Sequence, residues 1–401
     1  MLSVQDALDQ LLSHATPITQ ADSVGTLAAA GRVLAESIYA GIDVPPADNA
    51  AMDGYALRSQ EYCPGTPLPV GQRVAAGALA MPLAPGSAAR IFTGAPLPHG
   101  ADTVVMQEHC RVGPDGVAFL RRPTPGEHVR RRGEDIRAGS VLLAAGTRLR
   151  PQELAYAAAA GLAQLRVVRR PRVAMLFTGA ELATPGGPLA PGQIYNANRY
   201  ALGALLHALG CETSDFGIVP DRLDATRATL REAAAGHDLV ISSGGVSVGE
   251  EDHVKAAVSA EGALEVWKVA MKPGKPLAFG ALRRAGGGSA HFIGLPGNPV
   301  ASFVAFVQFA RPFILRMQGV AQAQQQPLAM RAGFACAHPD ARTEFLRVRV
   351  GAGGLLEPAG AQGSALLHSL VQADGLAIRA PGRAIAHGDL VPYLPFSELL
   401  A

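Results

Sequence analysis

A glycine-rich segment, flanked by an apolar run and by three acidic residues, is the first feature of this sequence that could do chemistry. Residues 239–254 read LVISSGGVSVGEEDHV. Ligands of open α/β sheets bind beyond the carboxyl ends of the strands, where glycines let backbone N–H groups approach an anion. We therefore expect an oxyanion site after this strand, formed by Ser243, Gly244, Gly245, Ser247 and Gly249. Asp252, at the start of the next helix, could hold a bridging magnesium ion.

The same segment supports a rival interpretation, because residues 245–249 match the G-x-S-x-G elbow of α/β hydrolases. That elbow needs its serine directly after the strand, whereas Ser247 lies five residues beyond Ser242. His291 or His338 could follow as the base, but His291 lies in a predicted strand. A hydrolase that uses Ser247 is therefore kept as an alternative.

Lysine is confined to one short stretch of the chain. Only four of the 35 basic residues are lysine, namely Lys255, Lys268, Lys272 and Lys275, and the others are arginine. Lysine is a compact point charge, whereas arginine is a planar fork that stays charged. Because Lys268 and Lys272 lie four apart, one strand would carry both on the same face, before Pro273-Gly274 turns the chain toward Lys275. We expect these ammonium groups to bind phosphate or another oxyanion.

Two further acidic residues follow predicted strands of the same sheet. Glu181 comes after the strand at residues 173–177, and Asp221 comes after the strand at residues 213–219. Taken singly, such residues are more often caps or solvated carboxylates. Together with Asp252 they form a candidate constellation around a metal-bridged anion, in which Asp221 and Asp252 would be the metal ligands.

The elements that must position these residues alternate between strand and helix. Residues 169–317 predict a doubly wound, mostly parallel α/β domain. Frequent proline and glycine predict a β-rich lobe over residues 44–135, which interrupts a discontinuous helical linking or dimerisation domain over residues 1–43 and 136–168. Residues 318–401 begin with a linker and predict a small C-terminal β-barrel.

Helix signals are local and specific. Apolar periodicity predicts helices over residues 3–14 and about 27–38. Asn198 is predicted to cap a helix that ends at Gly210, and Asn298-Pro299 is predicted to cap and open an apolar helix to about Met317.

Composition and charge exclude several classes of protein. The 401 residues are 48% hydrophobic and 17% charged with a net charge of +2, which argues against global disorder and against a polybasic nucleic-acid binder. The four cysteines form no CxxC motif, which argues against a zinc ribbon, a redox dithiol and a disulfide framework. The first residues have neither the basic region nor the unbroken apolar stretch of a signal peptide. We expect a soluble cytoplasmic protein without membrane or nucleic-acid partners.

Six motifs, taken in order, resemble the molybdopterin molybdenumtransferase family, the MoeA type, which is related to the C-terminal part of gephyrin. They are DNAAMDGYA, RIFTGAPLPHGADTVVMQE, GEDIRAGSVLLAAGTRL, SSGGVSVGEEDHV, KVAMKPGKPLAFG and GLPGNPV. The resemblance runs from about residue 3 to residue 317, and more faintly to residue 401. Each motif is modestly specific, but the ordered set is highly specific.

The resemblance implies an enzyme that inserts molybdate into adenylylated molybdopterin with Mg²⁺ and releases AMP. It also implies an elongated homodimer of four domains, whose α/β domain is similar to the adenylyltransferase of the preceding step. Transient contacts with that molybdopterin adenylyltransferase and with molybdoenzyme chaperones would follow. A gephyrin-like binding or scaffold protein is a further alternative, although the sequence shows no added tail or interaction linker.

The family's functional positions can be carried onto this sequence residue by residue. The resemblance implies catalytic roles for Asp53, Glu181, Asp221, Asp252, Lys268 and Lys272. It implies substrate contacts for Thr93, Asp135, Lys275, Pro296, Pro299 and, in the molybdate pocket, Arg347. Three positions depart from the family pattern, because Ala50, Ala180 and Ala301 stand where the family commonly has Ser, Asp and Ser.

Asp53 lies more than a hundred residues from the acids and lysines of the α/β domain. Reach within one chain is therefore doubtful, whereas a twofold dimer can build two identical composite sites. We expect Asp53 to act across the dimer interface.

Overall fold

The computed structural model describes residues 1–245 and 253–400, so the predicted site residues Ser247, Gly249 and Asp252 lie outside the described residues. The chain divides into two compact units. Unit 1 comprises Met1–Asp22, Gly31–Ala35 and Arg166–Ala401, and unit 2 comprises Ser23–Ala30 and Glu36–Leu165. The four-domain division expected from the sequence is finer than this and stays a prediction.

The described strands and helices are numbered here in chain order. The strands are β1 (Ala21–Gly25), β2 (Ile38–Tyr39), β3 (Asn49–Ala50), β4 (Gly54–Leu57), β5 (Val70–Val74), β6 (Ala88–Ile91), β7 (Thr103–Met106), β8 (Cys110–Gly113), β9 (Gly116–Phe119), β10 (Val129–Arg130), β11 (Val141–Leu143), β12 (Gln164–Val168), β13 (Arg172–Thr178), β14 (Leu182–Ala183), β15 (Ile194–Tyr195), β16 (Glu212–Val219), β17 (Leu239–Ser243), β18 (Gly262–Lys268), β19 (Met271–Lys272), β20 (Pro276–Arg283), β21 (Ser289–Leu295), β22 (Leu328–Arg331), β23 (Thr343–Val350), β24 (Leu356–Pro358), β25 (Gly375–Arg379) and β26 (Leu390–Pro395). The α-helices are α1 (Val4–Ser13), α2 (Pro151–Ala159), α3 (Ala197–Ala208), α4 (Leu223–Gly236), α5 (His253–Glu261), α6 (Pro299–Ala305), α7 (Arg311–Met317), α8 (His368–Val371) and α9 (Phe396–Leu399).

Unit 2 is built mainly from short strands. Its largest sheet has the order β5-β6-β4-β7. The pairs β3 with β10, β2 with β11 and β8 with β9 form two-stranded sheets. Small buried residues such as Ala56, Ala89 and Val104 form the core beneath this sheet. The β-rich character expected for residues 44–135 is therefore observed.

One predicted helix of the N-terminal part does not form. In place of a helix over residues 27–38, the chain makes a short 3₁₀ helix at Thr26–Ala29. Gly31 then adopts a left-handed conformation at a φ of 72°, which ends any helix. The following residues are extended, and the Ala35 N–H donates to the Arg166 carbonyl at 3.0 Å. Backbone pairing with a distant strand thus overrides the local apolar periodicity.

The main sheet of unit 1 has six strands in the order β16-β13-β17-β21-β20-β18. The first four are parallel, β20 runs antiparallel to them, and the edge strand β18 is antiparallel to β20 and so runs in the same direction as the first four. Along β13 the buried side chains alternate, so that Val173 and Met175 enter one core while Ala174 and Leu176 enter the other. Apolar residues of α3, α6 and α7 fill the first core, and those of α4 and α5 fill the second. The predicted doubly wound, mostly parallel α/β arrangement is confirmed.

The last long helix belongs to the core of this unit. A π turn at Phe306–Ala310 joins α6 to α7. By length and composition alone, the resulting helix, Pro299–Met317, could cross a membrane. However, 83% of its apolar 18-residue segment is buried inside the protein. Such burial is what a core helix of a folded α/β protein requires.

The C-terminal part of unit 1 forms a second sheet in the order β19-β23-β25-β26-β22, with β24 paired to β23. The β structure expected for residues 318–401 is present, for example in β23, β25 and β26. The named strands form an open path, so the structure shows a β-sheet domain here, and its closure into a barrel stays a prediction.

Candidate active site

The candidate site lies at one edge of the main sheet, where four parallel strands end together. Thr178 pairs with Val219, and Ser243 pairs with both Phe177 and Leu295. The turns that follow these strands carry most of the predicted site residues: Glu181, Asp221, Gly244, Gly245, Pro296 and Pro299. The antiparallel pair formed by β18 and β20 brings lysine to the same edge, because Lys268 ends β18 opposite Pro276 at the start of β20.

Asn198 joins two of these turns. Its Nδ2 donates to Ser243 Oγ at 2.8 Å and to the Gly297 carbonyl at 2.8 Å. The Ser243 hydroxyl in turn donates to the Pro296 carbonyl at 3.1 Å and lies 3.4 Å from Ser302 Oγ. All three side chains are buried, so these hydrogen bonds hold the turn after β17 against the turn after β21.

The sequence interpretation of Asn198 was wrong. Asn196 is the residue that caps α3, since its side chain accepts from the Arg199 N–H at 3.2 Å. Asn198 lies inside the helix, on its buried face, and is therefore free to bridge the turns. Two asparagines at the helix start gave a signal for a cap, but nothing in local periodicity distinguishes the capping residue from the bridging one.

Glycine is required where the turns approach each other. A Cβ on Gly244, whose φ is 94°, would lie 2.4 Å from the Thr178 carbonyl oxygen. A Cβ on Gly245 would lie 2.8 Å from Thr178 Oγ1. That hydroxyl is buried and has no hydrogen-bond partner within the described residues. Close backbone approach and an unsatisfied donor next to the glycines suit a site that receives an anion.

Two carboxylates flank these turns. Glu181 is exposed and its side chain folds back over Gly179, where a Cβ would lie 2.6 Å from Glu181 Oε2. Asp221 is exposed at the turn after β16. Within residues 1–245 and 253–400, no group of three His, Cys, Asp or Glu side chains could together hold a metal ion.

The lysines are arranged differently from the sequence prediction. Lys268 ends β18, whereas Lys272 belongs to β19, which joins the C-terminal sheet through β23. The prediction that one strand carries both lysines is therefore wrong. The reason is long-range pairing, because Val269 bridges to Leu2 and the chain then leaves the main sheet. Lys275 returns to it, and its carbonyl accepts from the Val269 N–H at 2.9 Å.

Lys272 also has acidic partners that the sequence analysis missed. Its Nζ lies 2.6 Å from Glu344 Oε1 and 3.9 Å from Asp340 Oδ2. Glu344 is buried and makes a second ion pair with Arg379. The sequence signal for this cluster is weak, because Glu344 lies in a strand that also carries Arg347 and Arg349, and Arg379 is the single charged residue at the end of an apolar strand.

The turn at the start of α6 is tied to the C-terminal sheet domain. Pro299 occupies the first turn of the helix as predicted, but Asn298 makes no side-chain cap. Instead Asn298 Nδ2 donates to Ser364 Oγ at 3.3 Å, and the Val300 N–H donates to the Ser364 carbonyl at 3.0 Å. Ala301 faces the lysine segment, since a Cβ on Gly274 would lie 3.4 Å from its Cβ.

Arg347 is buried within the C-terminal domain rather than exposed at the sheet edge. Its guanidinium donates to Ser369 Oγ at 3.2 Å, to the Phe345 carbonyl at 3.3 Å and to the Gly363 carbonyl at 3.2 Å. Burial lowers the pKa of this group from its usual value. These bonds brace the loop that carries Ser364, and a direct contact between Arg347 and substrate stays a prediction.

Unit 2 carries the remaining predicted residues. Asp53 Oδ1 accepts from both the backbone N–H and the hydroxyl of Thr93, at 2.8 Å each. These hydrogen bonds hold the pKa of Asp53 below its usual value, and the bond from the backbone N–H has the larger effect. Asp135 lines a cavity of about 430 Å³ together with Asn49, whose Oδ1 has no partner among the described residues.

A doubly wound sheet with glycine turns, carboxylates and lysines at its carboxyl edge is typical of α/β proteins that bind anionic ligands. Three family models match the chain and identify the family of anion-binding α/β proteins to which it is similar. They are the MoeA N-terminal region (domain I and II) over residues 2–161, a probable molybdopterin binding domain over residues 174–316, and the MoeA C-terminal region (domain IV) over residues 329–396.

Curated relatives and solved structures agree with these models. The molybdopterin molybdenumtransferase of Haemophilus influenzae is 37% identical over 408 residues, which cover 100% of both chains. That of Nostoc sp. is 44% identical over 302 residues, covering 74% of this chain and 69% of the relative. The MoeA protein from Pyrococcus horikoshii OT3 superposes with a TM-score of 0.83 at 28% identity, covering 98% of this chain and 99% of that one.

The chain belongs to the molybdopterin molybdenumtransferase family, so it is an enzyme of molybdenum cofactor biosynthesis. These matches favour neither the hydrolase nor the scaffold alternative.

Proposed function

We propose that this enzyme inserts molybdate into adenylylated molybdopterin and releases AMP. The observation that carries this proposal is the meeting of glycine turns with a lysine hairpin at the carboxyl edge of one sheet. A phosphoanhydride and a dianionic oxyanion need a site of that kind, because backbone N–H groups and ammonium groups both bind oxygen anions.

The lysines would offset the repulsion between the two anionic substrates. Like unit charges about 4 Å apart repel by about 1 kcal/mol in water and by about 4 kcal/mol near a protein surface. Lys268 and Lys275 would bind oxygens of the phosphoanhydride, and Lys272 would bind molybdate. Glu181 would orient the attacking oxygen or hold its proton. The attacking oxygen, from water or molybdate, forms a bond to the phosphorus on the molybdopterin side as the bridging P–O bond of the anhydride breaks, so AMP leaves and no protein nucleophile is needed. The two dithiolene sulfurs then bind molybdenum in place of two of its oxygens, which leave as water with the thiol protons.

Magnesium fits the acids of this site by donor chemistry. Mg²⁺ prefers carboxylate oxygens and is commonly bound by one or two carboxylates together with waters and substrate phosphates. A cluster of three protein acids, which the described residues do not provide, is therefore not required. Asp221 would hold the ion together with Asp252, and the bound ion would neutralise phosphate charge.

We further infer a homodimer in which Asp53 of one protomer completes the site of its partner. The hydrogen bonds from Thr93 keep the Asp53 carboxylate charged and oriented, which suits a residue that acts on a substrate from outside its own unit. Transient contacts with the molybdopterin adenylyltransferase and with molybdoenzyme chaperones, and a cytoplasmic location, complete the proposal.

A closed barrel is also proposed for the C-terminal domain. One edge of the open sheet carries β19 and β24, which both pair with β23, and the other edge is β22. An isolated parallel bridge between Ala332, next to β22, and Leu356, in β24, supports closure between these edges.

The test is AMP release from adenylylated molybdopterin, measured with and without molybdate and Mg²⁺. We expect release that depends on both. A chain that is folded and dimeric but releases no AMP on addition of molybdate would contradict the proposed function.

A further inference from the structure

One buried carboxylate of the C-terminal sheet holds the lysine segment in place. β19 pairs with β23 in parallel, with Lys272 opposite Glu344. Glu344 Oε1 lies 2.6 Å from Lys272 Nζ, and the side chains are 4% and 47% exposed. An exposed ammonium group is thus anchored by a carboxylate that solvent scarcely reaches, which makes the contact far less screened than an ordinary surface ion pair.

The carboxylate of Glu344 is neutralised by a different residue. Arg379 lies directly opposite Glu344 on β25, and the two side chains form an ion pair in which each is 4% exposed. Asp340, the more distant neighbour of Lys272, is paired with Arg342 at 2.8 Å. Each acid therefore has its own arginine, and the positive charge of Lys272 is left in excess.

This arrangement separates orientation from charge. An ammonium group carries more donors than one contact uses, so Lys272 can bind Glu344 and an oxyanion together. Because the contact fixes a long and flexible side chain before the substrate arrives, less conformational freedom is lost on binding. The lysine segment is held by the sheet through both its backbone and its side chain.

The geometry points to Glu344 as a positioning residue that orients Lys272 toward the oxyanionic substrate through Oε1, while Arg379 pairs with Oε2 of the same carboxylate. This inference rests on the proposed function, which supplies the oxyanion that Lys272 binds. It makes the C-terminal sheet part of the oxyanion site and assigns roles to two residues that the sequence analysis did not select.

The discriminating variant is Glu344→Asp. It keeps the negative charge that Arg379 requires, but it withdraws the carboxylate from Lys272 by about 1.5 Å. We expect the KM for molybdate, measured by AMP release, to rise about tenfold or more, as when a group that holds a ligand-binding side chain is removed. The expected change in kcat is smaller, and the melting temperature should stay close to that of the wild type.

The matched control is Glu357→Asp in the same sheet. Glu357 pairs with Arg349 at 3.0 Å on the neighbouring strand, and both side chains are exposed. It does not contact the lysine segment in the described structure, so its KM should match the wild type. An equal rise of KM in the control would overturn the inference.

A coupling test shows whether Glu344 acts through Lys272. The molybdate affinity, measured by titration calorimetry without turnover, should fall in Glu344→Asp. It should fall no further when Glu344→Asp is added to Lys272→Gln. An equal loss in both backgrounds would mean a merely structural role and would overturn the inference.

Two outcomes separate this inference from the proposed function. A wild-type enzyme without molybdate-dependent AMP release contradicts the proposed function itself. An active wild type with an unchanged KM in Glu344→Asp contradicts only the role of Glu344. Should Glu344→Asp lower the melting temperature, Glu344→Gln combined with Arg379→Met removes both buried charges together and must also raise the KM.

Discussion

Asn198 Nδ2 lies 2.8 Å from Ser243 Oγ, and this hydrogen bond connects the helix α3 to the turn after β17. The same amide holds the turn after β21 through the Gly297 carbonyl. Two backbone segments at the candidate site therefore depend on one side chain from a third element. Because the amide is buried, loss of its donors leaves both acceptors unsatisfied.

Asn198→Asp tests this connection with little change of shape. The carboxylate cannot donate, so we expect the free energy of unfolding to fall by about 1–3 kcal/mol and AMP release to fall with it. Urea unfolding and the AMP assay measure the two effects. Asn196→Ser is the matched control, because serine also caps helices and the activity should be kept. Wild-type stability and turnover in Asn198→Asp would contradict the bridging role.

Gly244→Ala tests the close approach of the two turns. A Cβ there would lie 2.4 Å from the Thr178 carbonyl oxygen, whereas Gly217, which also has a positive φ, has nothing within 4 Å of its ideal Cβ position. Both alanine variants pay the cost of a left-handed backbone, about 1–2 kcal/mol. We expect only Gly244→Ala to lose more than this and to lose AMP release. Equal unfolding midpoints in the two variants would count against the argument.

Asp238 makes the stability of unit 1 depend on pH. Burial acts to raise the pKa of Asp238, but the hydrogen bonds from Arg169 and from the Arg172 N–H, with the charge of Arg169, hold it below 3.8. A lowered pKa contributes stability above the unfolded value, and this contribution is lost as the pH falls through the folded value. We expect Asp238→Asn to lower the unfolding free energy by about 2 kcal/mol at neutral pH.

The difference between Asp238→Asn and the wild type should shrink as the pH falls below 3.8, the ordinary value for this group. Denaturant unfolding at neutral pH and at about pH 3 measures it. The control is Asp224→Asn, whose ion pair with Arg222 is about 70% exposed on both sides and should contribute nothing measurable. A constant difference at all pH values would contradict the linkage.

Lys272→Ala and Asp252→Ala test the charges assigned to the reaction. Removal of a group that stabilises charge at such a site costs about 10²–10³-fold in turnover. We expect molybdate-dependent AMP release to be abolished while the circular dichroism spectrum stays native. Lys255→Ala is the control, since Lys255 lies on α5 and is assigned no part in the reaction. Wild-type turnover in either site variant would overturn the assignment.

Mixed dimers test whether Asp53 acts on the partner's site. Asp53→Ala and Lys272→Ala chains should each be inactive alone, because each lacks one half of every composite site. Co-folded heterodimers should recover up to about half of the wild-type activity, since one of the two sites then carries both residues. Heterodimers that form without recovering activity would exclude action in trans.

Features that depend only on neighbouring residues could be predicted from the sequence. Alternating apolar strands and amphipathic helices over residues 169–317 predicted the doubly wound domain, because periodicity reflects which face of an element is buried. The glycine turn after Ser243 and the proline at the start of α6 were also identified, since turn and helix-start chemistry act within a few residues. The family motifs then implied a function, and this function is supported by relatives that match the whole chain.

Tertiary structure alone decided which of these residues work together. Lys272 was expected on the strand of Lys268, but pairing with β23 places it against Glu344 and Arg379. Asn198 was expected as a cap, but burial of its face turns it toward Ser243. Such contacts depend on strand order and register between segments far apart in the chain. Local propensity carries no information about that pairing, and long-range packing therefore decides it.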